Sequence, residues 1–261
     1  MNINLSGKRA LVGGSTSGIG KAIAMQLAVS GAAVTLMSRS LEKLEAVKAE
    51  LPTPHKQHHQ IIQVDFTDFE AYKTIISTYF ESNSVDILVN NTQGPDAGTA
   101  LEKEVSDYQQ AFDLLFKNVV LTTELALKAM RKAKWGRVIN VASVSVKEPL
   151  AHLVLSNSIR AAVVTWAKSL ATEVGPDQIT VNSILTGYFD TERIASLNAK
   201  KAREQGISEA AVFKQLEAGV PVRRIGKPEE YGFLVAFLAS EQAAYITGTQ
   251  IPIDGGLLSS L

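Results

Sequence analysis

The chain has 261 residues, 46% of them apolar, with 26 basic and 26 acidic side chains and no cysteine. That length and apolar content suffice for the core of one large α/β domain and exclude overall disorder, and a balanced charge excludes a global field steering the protein to nucleic acid or an anionic membrane. Without cysteine there is no disulfide, thiolate metal site or cysteine nucleophile; a cytoplasmic location is expected, and no metal site is.

Residues 1–7 contain no apolar signal core, and no stretch approaches about eighteen uninterrupted apolar residues, so neither export nor membrane spanning is expected. Runs at 9–12, 33–37, 61–64, 87–89, 138–141, 179–184 and 250–253 read as strands. Most gaps between the first six hold a helix, the signature of right-handed βαβ crossovers. The predicted fold class is α/β: a single-domain, Rossmann-type, doubly wound seven-stranded parallel sheet with helices on both faces, over 1–261. No repeat or Pro/Gly-rich linker divides it. The polar stretch 52–60 and a charged helical excursion at about 190–226 read as surface.

After the first strand comes Gly13-Gly14-Ser15-Thr16-Ser17-Gly18-Ile19-Gly20, then an amphipathic helix. Gly14 permits a tight turn, Gly18 lets backbone approach a pyrophosphate, and Gly20 allows close helix packing, with the helix N–H groups facing the phosphates. Ser17 and Ile19 lie within this candidate cofactor turn. The second strand ends in Ser38-Arg39-Ser40 with no carboxylate to accept a ribose 2′-hydroxyl. Arg39 suits a 2′-phosphate, with Ser38 and Ser40 adding hydroxyls, so NADP(H) is the expected cofactor and NAD(H) the alternative. A solvated loop cation is the other reading of Arg39. Asp65-Phe66 follows the third strand; Asp65 accepts from an adenine amino group or caps the next helix.

The fourth strand runs into Asn90-Asn91-Thr92-Gln93-Gly94. Further on come Asn118, Ser143, Val181-Asn182-Ser183, Gly187-Tyr188-Phe189-Asp190-Thr191, Tyr245-Ile246-Thr247-Gly248 and Asp254-Gly255-Gly256. With the glycine turn, these resemble the short-chain dehydrogenase/reductase family over almost the whole chain, above all its bacterial 3-oxoacyl-acyl-carrier-protein reductases. The resemblance implies a carbonyl or alcohol substrate, an acyl thioester among the choices, and a homodimer or homotetramer paired through the helices after Asp107 and Ser156. It places Asn90 near the adenosine ribose and in support of the sheet, Thr191 near the nicotinamide carboxamide, and the 190–226 excursion over the substrate as a lid. Arg193, Lys200, Lys201 and Arg203 there are candidates to meet an anionic carrier, or form a solvated helix face. Gly13, Thr92-Gln93 and Thr186 stand where the family usually has Thr, Ala-Gly and Pro.

The family's chemistry, by the same resemblance, uses a serine on the substrate oxygen, a tyrosine as proton donor, a lysine supporting it and an asparagine holding a relay water. Ser143 and Asn118 match two of these. Thirteen residues after Ser143, where tyrosine is expected, stands Ser156, and four further on Arg160 replaces lysine. No tyrosine lies between Tyr108 and Tyr188. A serine is a far weaker acid than a phenol, and a guanidinium cannot relay a proton. Arg160 remains able to bind ribose hydroxyls from one helix face with Ser156. Substitute donors are His152, Lys147, Tyr188, or a water held by Ser143 and Asn118. A hydrolase triad on Ser143 is disfavoured because no nucleophile elbow surrounds it. Two functions follow: an atypical NADP(H)-dependent oxidoreductase, or a non-catalytic dinucleotide-binding or regulatory module.

Overall fold

A computed structural model describes residues 3–260; Met1, Asn2 and Leu261, at the ends of the stretches 1–7 and 1–261 read above, lie outside the described residues. Seven strands form one parallel sheet: β1 (Arg9–Val12), β2 (Ala33–Ser38), β3 (Gln60–Gln63), β4 (Ile87–Asn90), β5 (Gly136–Val141), β6 (Ile179–Thr186) and β7 (Gln250–Ile253). Their order is β3-β2-β1-β4-β5-β6-β7, so β1 pairs with β2 on one side and β4 on the other. All seven predicted strands are present, with ends moved by a residue or two.

The central strands β1, β4 and β5 are buried at every position but Arg9 because helices cover both faces. Alternate residues feed two separate cores, as the period-two geometry of a strand dictates. Ala10, Val12, Ile87 and Val89 enter one core, and Leu11, Leu88 and Val138 the other. The first core is closed by α1 (Gly18–Val29), α2 (Leu41–Glu50) and α9 (Pro228–Leu238), and the second by α3 (Phe69–Ser82), α5 (Asn118–Ala133) and α6 (Val154–Val174). Edge strand β7 tolerates Pro252, which has no N–H to give the ladder.

Between β4 and α5, helix α4 (Val105–Phe112) passes through a π-helical turn, Asp113–Lys117, directly into Asn118. The 190–226 excursion contains α7 (Glu192–Gln205) and α8 (Glu209–Gly219). Much of the α6 apolar stripe is covered within the chain: Val163, Ala167 and Ala171 are buried, and Trp166 packs edge-on to Phe116. No helix of the described residues is long and apolar enough to cross a membrane.

His59 locks the entry of β3 against β2. The Val34 N–H donates to its Nδ1 at 3.1 Å, so Nε2 carries the ring proton and donates to the Pro52 carbonyl at 3.1 Å. Burial pushes the pKa of this imidazole down. A folded-state pKa below the unfolded value of about 6.5 makes its stabilisation complete above that pH and lost as pH falls through the folded value. The expected outcome is that the urea midpoint falls between pH 7.5 and 5.5 in the wild type and falls less in His59→Gln. An unchanged pH dependence in that variant would show that His59 does not govern it.

Candidate active site

The C-terminal ends of the strands open into a cleft of about 460 Å³ at the point where the chain order reverses between β1 and β4. Its floor is the glycine turn. Gly14 and Gly18 have φ of +54° and +50°, the left-handed region that glycine reaches without penalty. A Cβ at Gly20 would lie 2.0 Å from the Gly14 carbonyl oxygen, so the turn can fold back onto α1 only with glycine there. Ser17 precedes the helix in extended conformation; no side chain caps it, and no acid sits in the first turn. The positive end of α1 therefore faces the cleft uncompensated, a cradle suited to a pyrophosphate.

Two side chains fix this turn. Ser15 is buried; its hydroxyl oxygen accepts from the Met37 N–H at 3.0 Å, which ties the turn to β2. Asn91 donates its amide to the Gly13 carbonyl at 2.9 Å and approaches that of Gly14 at 3.5 Å, which ties the turn to the end of β4. At the β2 rim the Thr16 and Ser38 hydroxyls are hydrogen-bonded at 2.9 Å, and Arg39 lines the cleft beside them.

Of the other expected cofactor residues, Phe66 and Thr191 line the cleft together with Ser17 and Ile19. The Thr191 hydroxyl oxygen accepts from the Ile194 N–H and starts α7, and its Cγ2 would lie 3.0 Å from a Cβ at Gly18. Asp65 lies on the exposed side of Phe66, its carboxylate accepting from the Thr67 N–H and hydroxyl. The helix-cap alternative for Asp65 is corrected: α3 is capped by Asp68, which accepts from the Ala71 N–H. Asn90 points away from the cleft, donating to Thr123 at 3.0 Å and to Asn140 at 2.8 Å. It supports the sheet, and its neighbour Asn91 lines the cleft instead. The sequence reading missed Asn91's anchoring role, for which the signal was only a second amide after a strand end.

Ser143, Ser156 and Arg160 come together at the β5 end of the cleft. The Ser143 hydroxyl oxygen accepts from the Ser145 N–H at 3.1 Å, which leaves its own O–H to donate. One turn apart on α6, the Arg160 Nε donates to the Ser156 hydroxyl at 3.2 Å while its Nη1 donates to the Val141 carbonyl. The guanidinium thus bridges α6 to the end of β5. Its pKa is pulled down to about 10, by burial first, with Tyr231 opposing the shift and Arg193 adding to it. It stays a cation at neutral pH.

Asn118 and His152 do not join them. Asn118 is buried, with its amide donating to the Phe66 carbonyl at 2.7 Å and to that of Leu114 at 3.2 Å, and it borders a separate void of about 10 Å³ beside Asn90 and Asn91. Its Oδ1 has no hydrogen-bond partner among the described residues. The expected water shared by Ser143 and Asn118 is therefore not supported by their placement. His152 lies outside the cleft lining, exposed and at φ 59°, near Glu102, where its carbonyl accepts from the Gly98 N–H. Lys147 is likewise exposed and outside the lining. Tyr188 is the one tyrosine among the described lining residues, and burial raises its pKa, which keeps the phenol protonated.

The family described as Enoyl-(Acyl carrier protein) reductase matches residues 14–258. The chain is 31% identical over 259 residues to the NADPH-dependent reductase BacG of Bacillus subtilis, covering 98% of this chain and 100% of that one. It is 31% identical over 258 residues to the 3-oxoacyl-[acyl-carrier-protein] reductase FabG of Aquifex aeolicus, again covering 98% and 100%. The crystal structure of L-sorbose reductase from Gluconobacter frateurii, complexed with NADPH and L-sorbose, superposes with a TM-score of 0.92 at 30% identity over 100% of both chains.

The Asn91 bridge predicts a stability effect. Asn91→Ala and Asn91→Asp both remove the donor to Gly13, so each is expected to lose ~1–3 kcal/mol by urea denaturation. Wild-type midpoints in both variants would mean that the bridge does not hold the turn.

Proposed function

This chain belongs to the short-chain dehydrogenase/reductase family, and we propose that it is an NADP(H)-dependent oxidoreductase acting on a carbonyl or alcohol without the family's usual tyrosine and lysine. The observation that carries the cofactor reading is the uncapped α1 N-terminus beside the acid-free rim of Thr16, Ser38 and Arg39. Gly14, Ser17, Gly18, Ile19 and Gly20 would receive the pyrophosphate, Ser38 and Arg39 the 2′-phosphate, Phe66 and Asp65 the adenine end, and Thr191 the nicotinamide end. When bound, NADPH supplies the hydride that reduces a ketone carbon.

The chain's own residues supply the rest. Ser143 donates its hydroxyl to the substrate oxygen. Ser156 and Arg160 take the tyrosine and lysine positions by their spacing from Ser143, and neither delivers a proton at neutral pH. Tyr188 is the substitute donor, because among His152, Lys147 and Tyr188 it alone lines the cleft. Asn118 holds the π-turn and the third strand's exit together, so its role is positioning. Helices α7 and α8 form the lid, and assembly is as a homodimer or homotetramer. The engagement of the Ser156 hydroxyl by Arg160 also favours the second reading, a dinucleotide-binding module without turnover.

Calorimetry is expected to find NADPH bound about 10- to 100-fold more tightly than NADH, the worth of a charge-assisted contact to the 2′-phosphate. Arg39→Asp should erase or reverse that ratio. Equal affinities in the wild type would remove Arg39 as the reader of the 2′-phosphate.

Following nicotinamide absorbance with ketones and 3-oxoacyl thioesters separates the two readings. Turnover is expected to be slow; Tyr188→Phe should lower it, His152→Ala should leave it unchanged, and Ser156→Tyr with Arg160→Lys should raise it by up to ~10²–10⁴-fold. Because burial raises the Tyr188 pKa, the wild-type rate should hold from pH 7 to 9. Ordinary turnover indifferent to Tyr188 would overturn its role, and no turnover with intact NADPH binding would establish the module.

A further inference from the structure

The charges lining the cleft do not balance. They are Arg39, Arg160 and Arg193 against the single carboxylate of Glu192. Arg39 lies at the β2 rim, away from the β5 end. Arg160 and Arg193 belong to the opposite half, and their guanidinium groups are close enough to repel.

The partners of these two arginines are all neutral. Arg160 donates to the Ser156 hydroxyl and the Val141 carbonyl, and Arg193 donates its Nη2 to the Pro95 carbonyl at 2.9 Å. Neither takes part in an ion pair among the described residues. Among the described residues no acceptor takes the N–H groups of the Arg160 Nη2. Withdrawing the Arg160 cation from water opposes folding unless an anion answers it, and the exposed Arg193 at the cleft mouth adds a second positive charge. Val141 lies two residues before Ser143 on the same strand exit, so Arg160 and Ser143 border the same end of the cleft. The wall around it is apolar, from Val144, Leu150, Leu153, Ile194 and Leu197.

We propose that the substrate is an oxo acid: a ketone whose carboxylate, one or two bonds from the carbonyl, is bound between Arg160 and Arg193, with an apolar tail against the leucine-rich wall. The inference rests on the reading of this cleft as a ketone-binding NADP(H) site, and it narrows the substrate from neutral ketones and thioesters to carboxylates. Arg160 so placed is a binding residue, held in position by Ser156 and Val141. Arg193 brings α7 over the carboxylate, because its Pro95 contact already ties that helix to the segment after β4.

The test is calorimetric titration of the protein saturated with NADP⁺, in which no ketone is reduced, using two matched pairs: phenylpyruvate against its methyl ester, and 3-oxobutanoate against its methyl ester. The expected result is that at least one acid binds about 10- to 100-fold more tightly than its ester. Arg193→Met should abolish that ratio while changing the NADP⁺ Kd less than threefold. Arg160→Met should abolish it too; if that variant does not fold, the wild-type ratio and Arg193→Met decide the matter. Acids and esters bound alike in both pairs would overturn the inference. So would an Arg193→Met variant that loses NADP⁺ but keeps the ratio, since the arginine would then serve the cofactor. If NADP⁺ itself does not bind, the cofactor reading fails, and the same titrations on the protein alone still decide for or against the carboxylate site.

Discussion

Everything at the cleft depends on β1 being hydrogen-bonded to β2 on one side and β4 on the other. The chain leaves β1 and β4 in directions that diverge around the reversal of strand order, so their carboxyl ends part and leave a crevice no side chain fills. The glycine turn closes its floor, and the polar ties that hold that turn come from both neighbours: Ser15 to β2 and Asn91 to β4. The turn is thereby stretched between two strands, and the α1 N-terminus is aimed by the sheet. Loop flexibility has little part in setting that direction.

The same arrangement decides where charge accumulates. A helix N-terminus without an acidic first turn contributes positive potential, and the arginines at the rim add to it. An arginine such as Arg160 differs from a lysine in more than side-chain shape. An ammonium is a compact donor that loses its proton readily when buried, whereas a guanidinium keeps its charge and spreads its donors in a fork. Two prongs of that fork are already used on Ser156 and Val141. What remains is a fixed cation with free donors, suited to binding an anion and unsuited to passing a proton.

The fold was legible because its strands are short, apolar and separated by helix-length gaps, and because glycine after a strand has few physical uses. The adjacency of Ser156 and Arg160 was legible as well, since four residues on one helix put both on one face. Asn90 and Asn91 were not distinguishable: alternation sends adjacent side chains to opposite sides of a strand end, and nothing local says which side holds the cleft. His152 was misplaced for a different reason. Its loop is set by a bridge between Gly98 and Leu153, a contact far along the chain that turns the histidine outward at positive φ. The π-turn before Asn118 left no mark in an otherwise ordinary helical pattern, and it is what directs the Asn118 amide to the Phe66 carbonyl.

Departures from the family pattern that look independent along the chain meet in space. Gly13 stands where the resemblance leads one to expect Thr, and Thr92-Gln93 where it leads one to expect Ala-Gly. A Cβ at Gly13 would lie 2.2 Å from the Asn91 carbonyl oxygen, so no side chain fits there with the β4 exit in this position. With no side chain at Gly13, the β4 exit lies directly against it, and the Asn91 amide donates to the Gly13 carbonyl. Thr92 and Gln93 then continue from that exit along the cleft wall. Gly13, Asn91, Thr92 and Gln93 therefore act as one packed unit of the cleft, in which a side chain added at Gly13 would displace the amide that holds the glycine turn.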